Sequence, residues 1–322
     1  MLDFFDGKRV LVTGGTGFIG SNLVEILTTK GAQVRVVSKN KQSLDWKIEP
    51  EIYVGDLKNI DFCKKSLKDI DFVFHLAAEG FTSIANQSLA AKNFTPNIII
   101  NSNIMSSCKE AGVSHFLFCS SLNVYETGLD VLSDEKPWTG HPYDAQKHFA
   151  WTKRVGELQT QAFHELGDFK ASIVRVGAAY GQHDNFDPKF ARVIPSLIIK
   201  AFSDSDKIEV WGSGDAQRSF VFAKDIAEAM CLCMAKHSMA DAINVGSQES
   251  TSINDLVHMI KELTNTKKKI IFDKTKPEGI PKITITTQKA KEKIGWEATT
   301  SLREGLKETI SWYCDHILRK SN

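Results

Sequence analysis

Short β-branched runs alternate with helical stretches through the first half of the chain. Lys8–Thr13 (KRVLVT) is largely apolar and runs into glycine, the pattern of a parallel strand buried on both faces. Ser21–Lys30 follows, with Leu23, Ile26 and Leu27 on one helical face. Gln33–Val37, Ile52–Asp56, Phe72–Ala78 and Phe116–Ser121 predict further strands, and Asn97–Gly112 predicts a helix that ends at glycine. In the second half Val174–Ala178 extends the sheet, and a loop over 180–190 leads into a helix at Val193–Phe202. Lys207–Val210 and Gln217–Phe222 read as short strands around Gly212-Ser213-Gly214. Asp225–Ala235 reads as a helix, Ala242–Gly246 as a strand, and Ser252–Leu263 as a helix with Ser252 at its N-cap. Strands interleaved with helices imply a parallel sheet covered on both sides.

Charge and cysteine usage remove partners from this picture. Lys and Arg number 40 against 39 Asp and Glu, so no basic face for nucleic acid is expected. No apolar run approaches the roughly 18 residues of a membrane span. The opening MLDFFDGKRV is acidic and enters a strand, unlike a signal peptide. Cysteines at 63, 108, 119, 231, 233 and 314 are scattered. Cys231 and Cys233 sit in an apolar helical run without histidine at ligand spacing, so buried thiols and no metal site are expected, in keeping with the cytoplasm. The charged run Lys267–Lys269 reads as a solvated loop.

The chemistry begins at Gly14-Gly15-Thr16-Gly17-Phe18-Ile19-Gly20. Gly14, Gly17 and Gly20 give G-x-x-G-x-x-G between a predicted strand and a predicted helix, the context in which glycines admit a pyrophosphate to a helix N-terminus. These patterns predict an α/β fold with a Rossmann-type doubly wound parallel sheet and a smaller mixed α/β substrate-binding lobe. The sheet takes residues 1–178 with 221–249, and the lobe takes 179–220 and 250–322. At the end of the second strand a carboxylate usually reads a free ribose 2′-hydroxyl, but this chain has Ser38-Lys39-Asn40-Lys41. Ser38 and Lys39 favour NADP(H), with NAD(H) the alternative. Asp56 is placed to accept from adenine, and the small Ala77 and Ala78 let a cofactor cross the fourth strand's end. His75, inside that strand, reads as a hydrogen-bonded core histidine.

TGGTGFIG, GDL, HLAA, FCSSLNVY, VRVGAAYG and VWGSGDAQRSFV, in this order, resemble the extended short-chain dehydrogenase/reductase family over nearly the whole chain. YGQHDNFDPKFARVIPSLI followed by VWGSG is most similar to the GDP-fucose synthase branch of nucleotide-sugar enzymes. The tail KITITTQKAKEKIGW resembles the family's final strand and helix, with Thr286 where an aspartate is usual. The resemblance implies a homodimer, with Cys108 and Trp151 near its twofold axis. It puts Gly14, Gly17, Phe18, Ile19, Ser38, Lys39, Asp56, Leu57, Leu76, Ala77, Ala78 and Lys153 against the cofactor. It puts Asn123, Arg192, Lys200, Trp211 and Arg218 against a nucleoside-diphosphate sugar, with Arg218 suited to clamp the diphosphate. Trp211 either stacks near the base or fills the lobe's core.

The family's catalytic group is a serine followed by a Y-x-x-x-K pair, and Ser121 fits the serine, with Ser120 as its neighbour. Pro142–Glu157 (PYDAQKHFAWTKRVGE) offers two registers, Tyr143 with Lys147 or Phe149 with Lys153. The family also has a glutamate four residues beyond the lysine and an arginine about 22 beyond it. Counting from Lys153 meets Glu157, Arg175 and Tyr180-Gly181 without a gap. Lys153 is therefore the family lysine and Phe149 stands in the tyrosine's position, leaving Tyr143 at the helix entrance. Asn123 and Arg192 replace a cysteine and a histidine of the GDP-fucose synthase pattern, which leaves redox at sugar C4 as the expected reaction. His183 is a candidate substitute base. Phe149 also admits a low-activity nucleotide-sugar or NADP-binding protein, and a reductase of a non-sugar ketone is a further alternative.

Overall fold

The computed structural model describes residues 4–40, 44–79, 90–135, 138–276, 278 and 282–319. In chain order the first half contains β1 (Arg9–Thr13), α1 (Phe18–Thr29), β2 (Gln33–Ser38), β3 (Glu51–Val54), α2 (Ile60–Ser66), β4 (Phe72–His75), α3 (Ala90–Glu110) and β5 (His115–Ser121). The short β6 (Val131–Leu132) precedes α4 (Lys147–His164) and β7 (Lys170–Val176). The second half runs β8 (Ala178–Tyr180), α5 (Val193–Phe202), β9 (Lys207–Trp211), β10 (Gln217–Arg218), β11 (Phe220–Phe222), α6 (Ala223–Lys236) and β12 (Met239–Val245). It ends with β13 (Thr251–Ser252), α7 (Ile253–Leu263), β14 (Lys269–Asp273), β15 (Thr284–Ile285), α8 (Gln288–Ile294) and α9 (Leu302–Tyr313).

The expected doubly wound sheet is present. Seven parallel strands lie in the order β12-β7-β5-β4-β1-β2-β3. The chain moves outward from β1 through β2 and β3, then returns to place β4 on the other side of β1. That reversal opens a crevice beyond the carboxyl ends of β1 and β4, where such sheets take ligands. Alternate residues of each central strand enter two separate cores. Val10 and Val12 pack with α1 and α6, whereas Leu11, Val73 and Phe116 pack with α3. A third cluster gathers Tyr180, Leu197, Ile208, Phe222, Leu256 and Leu306, which come from β8 through α9.

Several expectations change in detail. The predicted strand Gln217–Phe222 is broken at Ser219: β10 pairs with β13 and β11 pairs with β8. Lys267–Lys269 is not a solvated loop throughout. Lys269 opens β14 against β9, and the Lys268 ammonium caps the Lys200 and Ser203 carbonyls. Cys108, on α3, is fully buried, and burial raises its thiol pKa well above the ordinary value. Cys231 and Cys233 are buried thiols, each pushed up to about 12 by burial. No helix among the described residues is long and apolar enough to cross a membrane.

His75 joins the two strands that frame the crevice. Its Nε2 lies 3.0 Å from Asn101 Oδ1 and its Nδ1 2.7 Å from Thr13 Oγ1. Because Asn101 Oδ1 accepts, Nε2 carries the proton and Nδ1 accepts from the Thr13 hydroxyl. Thr13 Oγ1 in turn accepts from the Ala77 amide at 3.1 Å, fixing the end of β4 beside β1. Burial chiefly pushes the imidazole down to about 3 despite the Asn101 bond, so it stays neutral when folded. An unfolded histidine takes up its proton near pH 6.5, so between about 6.5 and 3 the unfolded chain binds more protons. This contribution to stability is present above that window and is lost as pH falls through it. Denaturant melts of native protein and His75→Gln should show the variant losing less stability between about pH 6 and pH 4, by up to roughly 1.4 kcal/mol per pH unit. Equal slopes for the two proteins would contradict the assignment.

Candidate active site

The turn after β1 is built for close approach. Gly14 has φ +69°, and a Cβ there would stand 3.0 Å from the Ala77 backbone. A Cβ on Gly20 would fall 2.2 Å from the Gly14 carbonyl, so α1 can press onto the turn only without one. Gly17 caps α1 without any side-chain hydrogen bond, leaving first-turn amides with no side chain to answer them. These amides at the positive helix end fit a dinucleotide pyrophosphate. Phe18, Ile19, Leu76 and Ala78 carry the same surface into a cavity of about 780 Å³, while Ala77 packs under Gly14.

The other predicted cofactor residues lie on the β2–β3 side, outside this cavity's lining. Ser38 Oγ is 2.8 Å from Thr16 Oγ1. The Lys39 ammonium pairs with Glu79 and lies 3.7 Å from Asp56, while Lys58 sits 3.3 Å from Asp56 and 3.2 Å from Glu79. Asp56 therefore faces two lysines, and Leu57 is buried.

At the end of β5 the chain presents Ser121 to the cavity, its Oγ accepting from the Asn123 amide at 3.2 Å. Ser120, which also lines the cavity, donates to Glu157 Oε1 at 2.5 Å. Arg175 holds both oxygens of Glu157, at 2.9 and 2.7 Å, and Trp138 Nε1 adds a bond of 3.1 Å. Arg175 also donates to the Tyr125 hydroxyl, which donates to Asn244 Oδ1, each at 2.9 Å. Burial pushes the Tyr125 phenol up to about 12 against the pull of Arg175.

This network sets the position of α4. One turn before Glu157, Lys153 reaches into the cavity, is buried, and donates Nζ to the Cys119 carbonyl at 2.6 Å. Its ammonium lies 5.5 Å from the centre of the Phe149 ring and 5.1 Å from that of Phe118, and burial depresses its pKa. Phe149 lines the cavity beside it, and no side-chain hydroxyl stands at that helical position. Lys147, by contrast, is exposed at the first position of α4. Tyr143 precedes the helix, ahead of a 3₁₀ turn at Asp144–Gln146, and yet lines the same cavity.

The remaining candidates divide. Asn123, Arg192 and Arg218 line the cavity. Asn123 Nδ2 donates to Gln146 Oε1 at 2.7 Å. Arg192 donates to Asp184 Oδ1 at 2.8 Å and lies 5.0 Å from the Phe18 ring centre. Lys200 and Trp211 are not brought to it. Lys200 spends its ammonium on the Glu209 carbonyl at 2.7 Å, and Trp211 is 56% exposed on β9, neither core nor cavity. His183 does line the cavity, but its ring packs on Trp312 at 4.8 Å and burial pushes it down to about 4. Tyr143, Asp184 and the tail residues Ile283 and Ile285 line the cavity without having been predicted to do so. Asp184 adjoins His183 in the sequence, the one signal pointing to it; Ile283 and Ile285 lie in a short alternating run that gives no hint of the cavity.

The chain is similar to known proteins over most of its length. A model of the NAD dependent epimerase/dehydratase family matches residues 10–246. A putative GDP-L-fucose synthase 2 from Arabidopsis thaliana is 27% identical over 317 residues, 97% of this chain and 93% of the plant protein. A UDP-glucose 4-epimerase from Thermotoga maritima, solved with UDP-glucose, has a TM-score of 0.83 and 26% identity, covering 97% of this chain and 99% of its own. MoeE5, solved in complex with UDP-glucose and NAD, has a TM-score of 0.81 and 27% identity over 97% and 99%.

Removing the Glu157 carboxylate would leave Arg175 charged and buried, a change that costs about 3–5 kcal/mol in comparable pairs. Glu157→Gln should lower unfolding free energy by that order in urea titrations. A loss below about 1 kcal/mol would show that the pair does not hold α4 in place.

Proposed function

The chain belongs to the NAD dependent epimerase/dehydratase family, and we propose that within it the protein moves hydride at C4 of a nucleoside-diphosphate sugar, with a GDP-sugar as first candidate. The reaction class is a 4-ketoreductase or dehydrogenase, or a 4-epimerase. The observation that carries this reading is the cavity that holds Ser121, Phe149 and Lys153 together with Arg218. The first three belong to a site that handles a carbonyl or hydroxyl, and Arg218 suits a diphosphate through its planar fork. The GDP-L-fucose synthase and UDP-glucose 4-epimerase relatives support the same substrate class.

A bound nicotinamide supplies or accepts the hydride. The chain's own contribution is a fixed charge and a serine hydroxyl. The Lys153 ammonium, held by Cys119 and fixed through Glu157, places positive charge beside the reacting oxygen. The Ser121 hydroxyl is available to hydrogen-bond that oxygen. Phe149 supplies no proton, and a positioned acid or base is worth roughly 10²–10⁴-fold. We therefore read the native chain as a slow enzyme. A nucleotide-sugar-binding protein with little turnover is the second reading, and the Phe149 ring under Lys153 is the observation that favours it.

For the cofactor we propose NADP(H), with NAD(H) as the alternative. Lys39 and Lys58 at the adenosine end support a 2′-phosphate, although Glu79 and Asp56 already share their charge, so the preference is modest. A homodimer through the outer faces of α3 and α4 is part of the same reading, with exposed Ile99 and Leu158 as contacts.

Restoring the phenol tests the register. Phe149→Tyr should raise turnover of an NDP-4-keto sugar with reduced cofactor, by up to about 10²–10⁴-fold, with little change in KM. No gain in rate would contradict the placement of Phe149.

A further inference from the structure

We propose that the phenol missing at Phe149 is supplied from outside the helix, by Tyr143, which acts with Lys153 and Arg218 on the same sugar carbonyl. This rests on the nucleotide-sugar reading above and deepens it. In the sequence Tyr143 forms a Y-x-x-x-K pattern with Lys147, but the fold leaves Lys147 exposed and puts Tyr143 on the wall of the cavity that Lys153 also lines.

Tyr143 is held firmly for this. Its amide lies 2.9 Å from the Tyr125 carbonyl and 3.3 Å from that of Asn123. Its carbonyl accepts from Gln146 at 3.1 Å, and the Gln146 side chain accepts from Asn123 Nδ2 at 2.7 Å. The backbone of Tyr143 is thus stapled to the segment that leaves β5 directly after Ser121. From that anchor the Tyr143 side chain joins the lining of the cavity. Arg218, on the same cavity, is within electrostatic reach of it.

Other candidate groups in the cavity are wholly or partly engaged. The Tyr125 hydroxyl is held by Arg175 and Asn244. Asp184 takes bonds on Oδ1 from Arg192 and, at 2.7 Å, from the Asn185 amide, while its buried Oδ2 has no partner among the described residues. His183 is packed against Trp312. The Tyr143 hydroxyl makes no hydrogen bond to any described residue, so it is available to a ligand. In the reductive direction the carbonyl carbon gains a hydride from a reduced nicotinamide dinucleotide, and the C=O π pair takes the proton of the Tyr143 phenol. An alcohol and a tyrosinate result. The Arg218 cation faces the tyrosinate until water returns its proton. Because Tyr143 approaches from the loop, it recovers only part of what a helix tyrosine would give.

The test compares native protein, Tyr143→Phe, Phe149→Tyr and the double variant, each first shown to melt cooperatively. Single-turnover reduction of an NDP-4-keto sugar is measured, together with calorimetric affinity for the NDP-sugar and for the NDP alone. Tyr143→Phe should slow reduction by about 10²-fold or more, and the double variant should recover the rate of Phe149→Tyr. The same change should weaken the NDP-sugar by about 3- to 10-fold, one hydrogen bond's worth, and leave the NDP unchanged. The proposal is overturned if Tyr143→Phe reduces within about twofold of native, if NDP affinity falls as much as NDP-sugar affinity, or if the native chain binds the sugar nucleotide and never reduces it. Failure of the native chain to bind any NDP would instead overturn the nucleotide-sugar reading itself.

Discussion

A carboxylate buried between a guanidinium, a hydroxyl and an indole ties α4, and with it Lys153, to the sheet. Glu157 takes two bonds from Arg175 on β7, one from Ser120 on β5 and one from Trp138 in the following loop. Two sheet strands and one helix therefore meet at a single charge with almost no solvent around it. Within the protein interior such a pair is stable only when every lone pair is answered, and here all four bonds are present. Lys153 lies one helical turn away, so it reaches the Cys119 carbonyl because Glu157 has already set the rotation of α4.

The same constraint explains which register the sequence encodes. A search for Y-x-x-x-K stops at Tyr143 and Lys147, and local spacing offers nothing against it. Glu157 and Arg175 decide, because a glutamate one turn past the lysine must meet an arginine on the next strand. Spacing carried this part of the site because helix and strand geometry are regular. The central strands were legible for a similar reason: their continuous apolar runs admit burial on both faces and little else. The small β10–β13 and β6–β15 ladders were not, since two-residue strands have no period to read.

What the chain order concealed was mostly carried by loops. Tyr143 enters the cavity because its backbone pairs with the segment after β5, a contact between residues with no shared pattern. Trp138 is an isolated aromatic in a polar loop, yet it completes the Glu157 shell. Lys200 and Trp211 lie off the cavity's lining, the first with its ammonium on the Glu209 carbonyl and the second exposed on β9. Lys39 shows a third kind of limit. Its positive charge was evident, whereas the carboxylates of Glu79 and Asp56 that share it come from two other strand ends.

These features lie on one cavity of about 780 Å³, with a glycine turn at the end of β1 and a lysine and an arginine on its wall. The account requires hydride to arrive at sugar C4 and at no other carbon. Incubating the protein with an NDP-4-keto sugar and reduced cofactor deuterated at the transferring position tests this directly by NMR of the product. The account predicts deuterium at C4 of the sugar. Deuterium at another carbon, or a reduced sugar without label, would contradict it.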